Sequence, residues 1–237
     1  MSGNILRTID RYLVQIGTII FSLIGIVGNS LIFYILTKKK FLKESIFRYF
    51  IVSEIISCIA LILVWTYIMQ TVLFQMDDLF CQIYTTTVYL VYDIYPWVSV
   101  LNSVDRLINL KYPTSFKCLK KFKYQALMLT IIFIIMILIE TPRFILVRYS
   151  FDDAFPCQIN NTEIGFYMNL NHFFISNLIP FCIMLVSSSS IIHYFRTKRS
   201  RLMQNLQNYK KEKDFIKNII FMDVWIILLY TPLSIHH

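Results

Sequence analysis

Six long apolar stretches, separated by short polar connections, organise the chain. Each is long enough to cross a membrane as a helix, because about 20 helical residues span a hydrocarbon core about 30 Å thick. None shows the alternating pattern of barrel strands, and in lipid only helices and closed barrels satisfy their own backbone groups. The pattern predicts an all-α, polytopic transmembrane helix bundle, a single domain over residues 1–237 with spans near 14–36, 49–73, 83–110, 126–147, 164–195 and 215–237.

The charged residues alternate in sign from one connection to the next. Lysine and arginine cluster in the first, third and fifth connections, around residues 38–48, 117–123 and 196–213. The second and fourth connections are acidic, with Asp77, Asp78, Asp152, Asp153 and Glu163. Because basic connections stay in the cytosol, this asymmetry predicts an extracellular N-terminus. We expect the uncharged first span to serve as the targeting signal in place of a cleaved leader.

Composition argues against soluble functions. Hydrophobic residues make up 57% of the 237 residues and charged residues 16%, against about 25% charged in an average soluble domain. The net charge of +9 does not indicate a nucleic-acid partner, because the basic residues lie between apolar runs. No His-Glu-x-x-His, Gly-x-Ser-x-Gly or phosphate-loop motif occurs, and the terminal pair His236-His237 is attributed to chance. We therefore predict no enzyme, no catalytic residue, no cofactor and no metal site.

The third apolar stretch ends in two adjacent charges, Asp105 and Arg106. A charge at the bilayer centre costs about 3 kcal/mol on insertion scales, so such a pair indicates a function or a membrane edge. Cys81 precedes Arg106 by 25 residues. That distance is about 37 Å of helix, which is close to the thickness of a bilayer. Cys81 and Arg106 are therefore expected at opposite membrane faces.

Two cysteines lie on the predicted outer side. Cys81 and Cys157 both belong to the acidic connections, where an oxidising environment lets a disulfide persist, so we predict that they are bonded. The connection that contains Cys157 also contains the sequon Asn160-Asn161-Thr162. Its predicted outer location makes Asn160 a candidate for N-glycosylation.

A motif at the end of the third stretch resembles a known family. The segment Asn102-Ser103-Val104-Asp105-Arg106-Leu107, followed by Pro113, resembles the end of the third helix in rhodopsin-like (class A) G-protein-coupled receptors. The family pattern there is Asp-Arg-Tyr, so Leu107 departs from it. The resemblance implies a plasma-membrane receptor that binds an extracellular ligand and acts on a cytosolic G protein.

Other positions match the same family. Asn29 follows Gly28 in the first span, and Glu54 stands where the family usually has an aspartate. The resemblance implies that Asn29 and Glu54 lie in the polar core of the bundle. Four residues match positions at which family helices bend: Pro142, Pro180, Tyr230 and Pro232.

The resemblance also implies a switch at the cytosolic ends of the helices. Glu212 lies 20 residues before Pro232, where the family often has an acid that pairs with the third-helix arginine. Arg106 would be held by Asp105 and Glu212 at rest. It would exchange them for a G protein when the helix ends part.

By the same resemblance, a ligand pocket opens outward between the third, fifth and sixth helices. The family pocket positions are occupied by Thr85, Val88, Tyr89, Tyr92, His172 and Ser176. Val88 takes the place of the aspartate of amine receptors, which favours a peptide ligand over an amine. The connection that contains Cys157 has the size of the hairpin lid of peptide receptors. Asp93, one turn deeper, leaves an opening for a cationic ligand.

Two alternatives stay open. The sequence ends five residues after Pro232, before the family's seventh helix, so six of the seven helices are expected. The chain could then be a fragment, or a non-signalling partner of a full-length receptor. A small transporter is the other alternative, although no inverted repeat supports it. Its path would use the intramembrane acids Glu54, Asp93, Glu140 and Asp223.

Overall fold

A computed structural model describes residues 2–38, 45–73, 77–112, 121–149, 157–159 and 161–202. Several sequence predictions lie outside the described residues. They are the sixth span at 215–237 and the residues Asn160, Glu212, Tyr230 and Pro232.

Long helices and one short hairpin make up the described chain. The helices are α1 (Ser2–Leu36), α2 (Ser45–Leu73), α3 (Asp78–Lys111), α4 (Phe122–Leu146), α5 (Thr162–His172) and α6 (Ile179–Leu202). Strand β1 (Val147–Tyr149) pairs antiparallel with β2 (Cys157–Ile159). A π-helical segment, Phe173–Leu178, joins α5 directly to α6. The predicted all-α polytopic bundle is confirmed, and the hairpin is the only β-structure within the described ranges.

The outer surface of the bundle is apolar. Four helical stretches in the described part are long and apolar enough to cross a membrane: Ile19–Leu36, Phe47–Thr66, Phe122–Leu146 and Glu163–Tyr194. Large side chains on them face outward, and Phe21 in α1 and Leu138 in α4 are 75% and 67% exposed. A soluble protein rarely exposes so much contiguous apolar surface, whereas lipid solvates it. The chain is therefore a multi-pass membrane protein.

Helix α3 lies at the centre of the bundle. It packs against α2, α4, α6 and the hairpin, whereas α1 packs against α2. Threonines, tyrosines and charged residues make α3 more polar than the four stretches above. Because α3 is surrounded by protein on several sides, its polar side chains face other helices instead of lipid. The core of the bundle is consequently polar along α3.

Local interactions set the two ends of α3. The Asp77 side chain caps the N-terminus by accepting a hydrogen bond from the Phe80 amide at 2.8 Å. At the other end, the Tyr112 amide donates to the Ile108 carbonyl at 2.8 Å. Pro113 follows in the sequence, and the residue before a proline disfavours the helical conformation. The helix between these two ends, Asp78–Lys111, therefore includes both Cys81 and Arg106.

Candidate functional site

A cluster of buried polar residues lies between α3, α4 and the start of the π-helical segment. It consists of Asp93 from α3, Glu140 and Arg143 from α4, His172 from α5 and Ser176 from the π-helical segment, and is called the polar cluster below. Asp93 is 1% exposed, and Glu140 and Arg143 are 3% exposed each. Buried charges inside membrane helices are costly, so their grouping indicates a function.

Asp93 binds two residues across the bundle. Its Oδ1 lies 2.7 Å from His172 Nδ1 and also accepts a hydrogen bond from the Ser176 hydroxyl. Ser176 Oγ is 3.3 Å from His172 Nδ1, so the three groups form a closed triangle. His172 and Ser176 are four residues apart and therefore share one face of their helix. Asp93 thus holds α3 against that face.

Glu140 and Arg143 form a buried ion pair one turn apart on α4. Arg143 Nε donates to Glu140 Oε2 at 2.7 Å. The guanidinium also stacks on Tyr89 of α3, with its Cζ 3.4 Å from the ring centroid. The Tyr89 ring meets His172 edge to face at 4.9 Å. Tyr89 therefore links the α4 ion pair to the histidine.

The carboxylates of Asp93 and Glu140 approach each other. Asp93, Glu140 and His172 each bring one potential metal-binding atom within 4.8 Å of the other two. The positive charge of Arg143 neutralises one of the two carboxylates, that of Glu140. Asp93 Oδ2 is buried and has no hydrogen-bond partner among the described residues. An unpaired buried oxygen costs free energy, so this position favours a cation or a proton donor.

The disulfide predicted between Cys81 and Cys157 is confirmed. It ties α3 to strand β2, and the Asp78 carboxylate accepts a hydrogen bond from the Tyr149 amide of β1 at 2.7 Å. Both strands of the hairpin are therefore attached to the first turn of α3. This region is called the disulfide end of the bundle below. The polar cluster lies 12 residues from Cys81 along α3, or about 18 Å of helix.

The opposite part of α3 carries the predicted switch residues. Asp105 and Arg106 are 7% and 5% exposed, which means that both charges are buried. Asn109 Nδ2 donates to Asp105 Oδ2 at 2.9 Å, and Arg106 Cζ lies 5.3 Å from the centre of the Phe50 ring. Arg48 of α2 donates to Gln125 of α4 at 3.0 Å. This region is called the Arg106 end.

The structure brings together half of the predicted pocket residues. Tyr89, His172 and Ser176 meet around Asp93, whereas the other three, Thr85, Val88 and Tyr92, are partly buried along α3.

Of the predicted core residues, Asn29 in α1 and Glu54 in α2 are partly buried. Of the predicted bend positions, Pro142 in α4 is exposed and Pro180 in α6 is buried. The close approach of α1 to α2 is at Gly25, where an added Cβ would lie 2.9 Å from Leu61 Cδ1.

The sequence analysis assigns neither Glu140 nor Arg143 to a binding site. Glu140 enters it only as an acid of the transporter alternative, and Arg143 has no role in it. Both are charges in the middle of an apolar stretch, and they are three residues apart, so they could have been recognised as an ion pair on one helix face. No local pattern could have shown that Tyr89 packs on Arg143.

Comparison with known proteins adds one match. Residues 28–237 match the family model described as 7 transmembrane receptor (rhodopsin family). The match therefore includes α2 to α6, the polar cluster and both ends of α3. No curated protein matches the chain.

Proposed function

Because the chain belongs to the rhodopsin family of seven-transmembrane receptors, we propose that it binds an extracellular ligand at the disulfide end and activates a G protein at the Arg106 end. This family consists of receptors, so a signalling role follows and an enzymatic one does not. We place the protein in the plasma membrane with an extracellular N-terminus, in line with the basic first and third connections.

One observation carries the proposal, namely that α3 connects a disulfide-anchored hairpin to a buried Asp105-Arg106 pair. Cys81 fixes one end of the helix to β2. Arg106 is 5% exposed at the other end. A buried arginine is energetically costly, which favours a functional role for it. Movement of α3 against its neighbours is thus a physical route from the outer side to the inner side.

A peptide is the ligand class that we propose. The hairpin β1–β2 lies at the disulfide end, where we propose that the ligand enters, and a strand edge has backbone groups with which an extended peptide can pair. Val88 supplies no charge for an amine. Asp93 is 1% exposed, so a small amine would have to open the buried polar cluster to reach it. Polar side chains of a peptide, in contrast, can add hydrogen bonds to those of the polar cluster.

The G-protein switch is proposed from the Arg106 end. Asn109 and Phe50 hold Asp105 and Arg106 in the resting arrangement. We add Glu212 to this lock on the strength of the family pattern. On activation, Arg106 leaves these contacts and meets the G protein, which requires the cytosolic helix ends to separate.

The proposal is tested by expressing the complete open reading frame that contains these residues in cells with a G-protein activation reporter. Peptide and monoamine libraries are screened in parallel. We expect a response to peptides that Arg106→Ala abolishes. Cys182→Ala, which removes an exposed free cysteine of α6, is the control and should leave the response unchanged. A response confined to monoamines would contradict the ligand class, and a full response of Arg106→Ala would contradict the switch.

A further inference from the structure

We propose that Asp93, Glu140 and His172 form a binding site for a divalent transition-metal ion, with Zn²⁺ as the best match. The three residues come from α3, α4 and α5, so a bound ion would join three helices. Binding of the ion does not depend on which extracellular ligand or G protein the receptor uses.

The distances suit a small tetrahedral ion. Zinc binds histidine nitrogen and carboxylate oxygen at about 2.0–2.2 Å, so that two of its ligand atoms lie about 3.3 Å apart. The ligand atoms of Asp93, Glu140 and His172 already lie within 4.8 Å of one another. His172 Nδ1 and Asp93 Oδ1 are 2.7 Å apart and would separate by about half an ångström to admit the ion. Rotation of side chains can supply shifts of this size.

The unpaired oxygen of Asp93 supplies an independent reason. Asp93 is 1% exposed, and its Oδ2 has no hydrogen-bond partner within the described part of the chain. A buried carboxylate oxygen without a hydrogen-bond partner is energetically costly, because it has lost its hydration without compensation. A metal ion removes this cost, because it bonds the oxygen and neutralises the repulsion between Asp93 and Glu140. The site is thus built to receive positive charge.

Neighbouring residues hold the ligands in place. Arg143 donates to Glu140 Oε2 and so fixes the orientation of that carboxylate. Ser176 donates to Asp93 and fixes the carboxylate plane. Hydrogen bonds of this kind to metal-binding carboxylates raise affinity by orienting them. The Arg143 guanidinium is itself held by stacking on the Tyr89 ring.

The ligand set selects the class of ion. One imidazole nitrogen with two carboxylates suits Zn²⁺ and similar transition metals, whereas Mg²⁺ and Ca²⁺ prefer six or more oxygens. The ion would lie between His172 Nδ1 and Asp93 Oδ1, so it replaces their direct contact.

The first experiment measures binding to the full chain in detergent. The protein carries no histidine tag, and His236→Ala and His237→Ala remove the terminal histidine pair from the background. Zn²⁺ is titrated by calorimetry, and Co²⁺ is added as a spectroscopic probe. We expect one ion per chain, with an affinity that falls at least tenfold in Asp93→Asn and in His172→Ala. His193→Ala, which removes an exposed histidine of α6, is the control and should bind as the parent does.

A variant with its own spectroscopic band distinguishes loss of the metal site from misfolding. His172→Cys keeps a ligand for zinc and cobalt, so it should bind Co²⁺ with a sulfur-to-metal charge-transfer band that the parent lacks. Restored binding with this band supports the site even where His172→Ala folds poorly. The proposal is overturned if Asp93→Asn and His172→Ala bind the ion as the parent does. It is equally overturned if the parent without His236 and His237 binds no ion.

Discussion

The indole nitrogen of Trp97 in α3 donates a hydrogen bond to the Ile175 carbonyl in the π-helical segment, at 3.1 Å. In that segment the Ile179 amide bonds Phe174, five residues earlier. With the same five-residue spacing, the amide of residue 180 would bond the Ile175 carbonyl. Residue 180 is a proline and has no N–H, so this backbone bond cannot form. Trp97 therefore supplies the donor that the proline removes, and it fixes the helix next to His172 and Ser176.

The first prediction concerns this hydrogen bond. Trp97→Phe keeps an aromatic ring but leaves the Ile175 carbonyl unpaired, which should lower the free energy of unfolding by about 1–3 kcal/mol. Thermal unfolding in detergent measures the loss.

Trp65→Phe is the matched control for Trp97→Phe. The Trp65 indole nitrogen is buried without a hydrogen-bond partner among the residues that the structure describes, so its replacement loses no bond. Trp97→Phe should therefore be the more destabilising variant. Equal losses in the two variants would show that ring volume, not the hydrogen bond, matters.

The second prediction concerns the disulfide. Cys81 and Cys157 are 76 residues apart. Closing a loop of this length stabilises by about 4 kcal/mol in the chain-entropy description. Cys81→Ser and Cys157→Ser should each lose this stability and reduce surface expression. Cys182→Ser, at an exposed free cysteine of α6, should change neither quantity. Non-reducing peptide mapping that recovers Cys81 and Cys157 as free thiols in correctly folded protein would contradict the prediction.

The third prediction concerns the ion pair on α4. Glu140→Gln leaves the Arg143 guanidinium buried without its carboxylate, which should destabilise by about 3–5 kcal/mol. The double variant Glu140→Leu/Arg143→Met removes both charges and should recover most of that loss. Unfolding of both variants in detergent gives the comparison. A double variant that is less stable than Glu140→Gln alone would show that the pair itself stabilises the bundle.

Much of the fold follows from the sequence, because long apolar stretches leave helices as the available structure in lipid. The outer location of Cys81 and Cys157 was also sufficient to predict their bond. The polar cluster was only partly predictable. The contact between Asp93 and Ser176 joins residues 83 positions apart. It depends on a π-helical segment that no sequence pattern predicts. Pro180 matches a bend position in the sequence, but the hydrogen bond from Trp97 to the Ile175 carbonyl cannot be read from the sequence, since it forms only after the helices pack together.

The last prediction concerns the switch at the Arg106 end. If Glu212 contributes about 1 kcal/mol to holding Arg106 at rest, its loss shifts the resting equilibrium about fivefold towards the active state. Glu212→Ala should therefore raise basal G-protein activation in the product of the complete open reading frame. Arg106→Ala should have the opposite sign and lower agonist signalling, because the residue that meets the G protein is gone. Glu163→Ala, which removes an exposed acid near the opposite end of the chain's fifth span, is the control and should change neither reading. Basal activity that stays constant in Glu212→Ala would leave Asp105 and its neighbours as the resting partners and remove Glu212 from the lock.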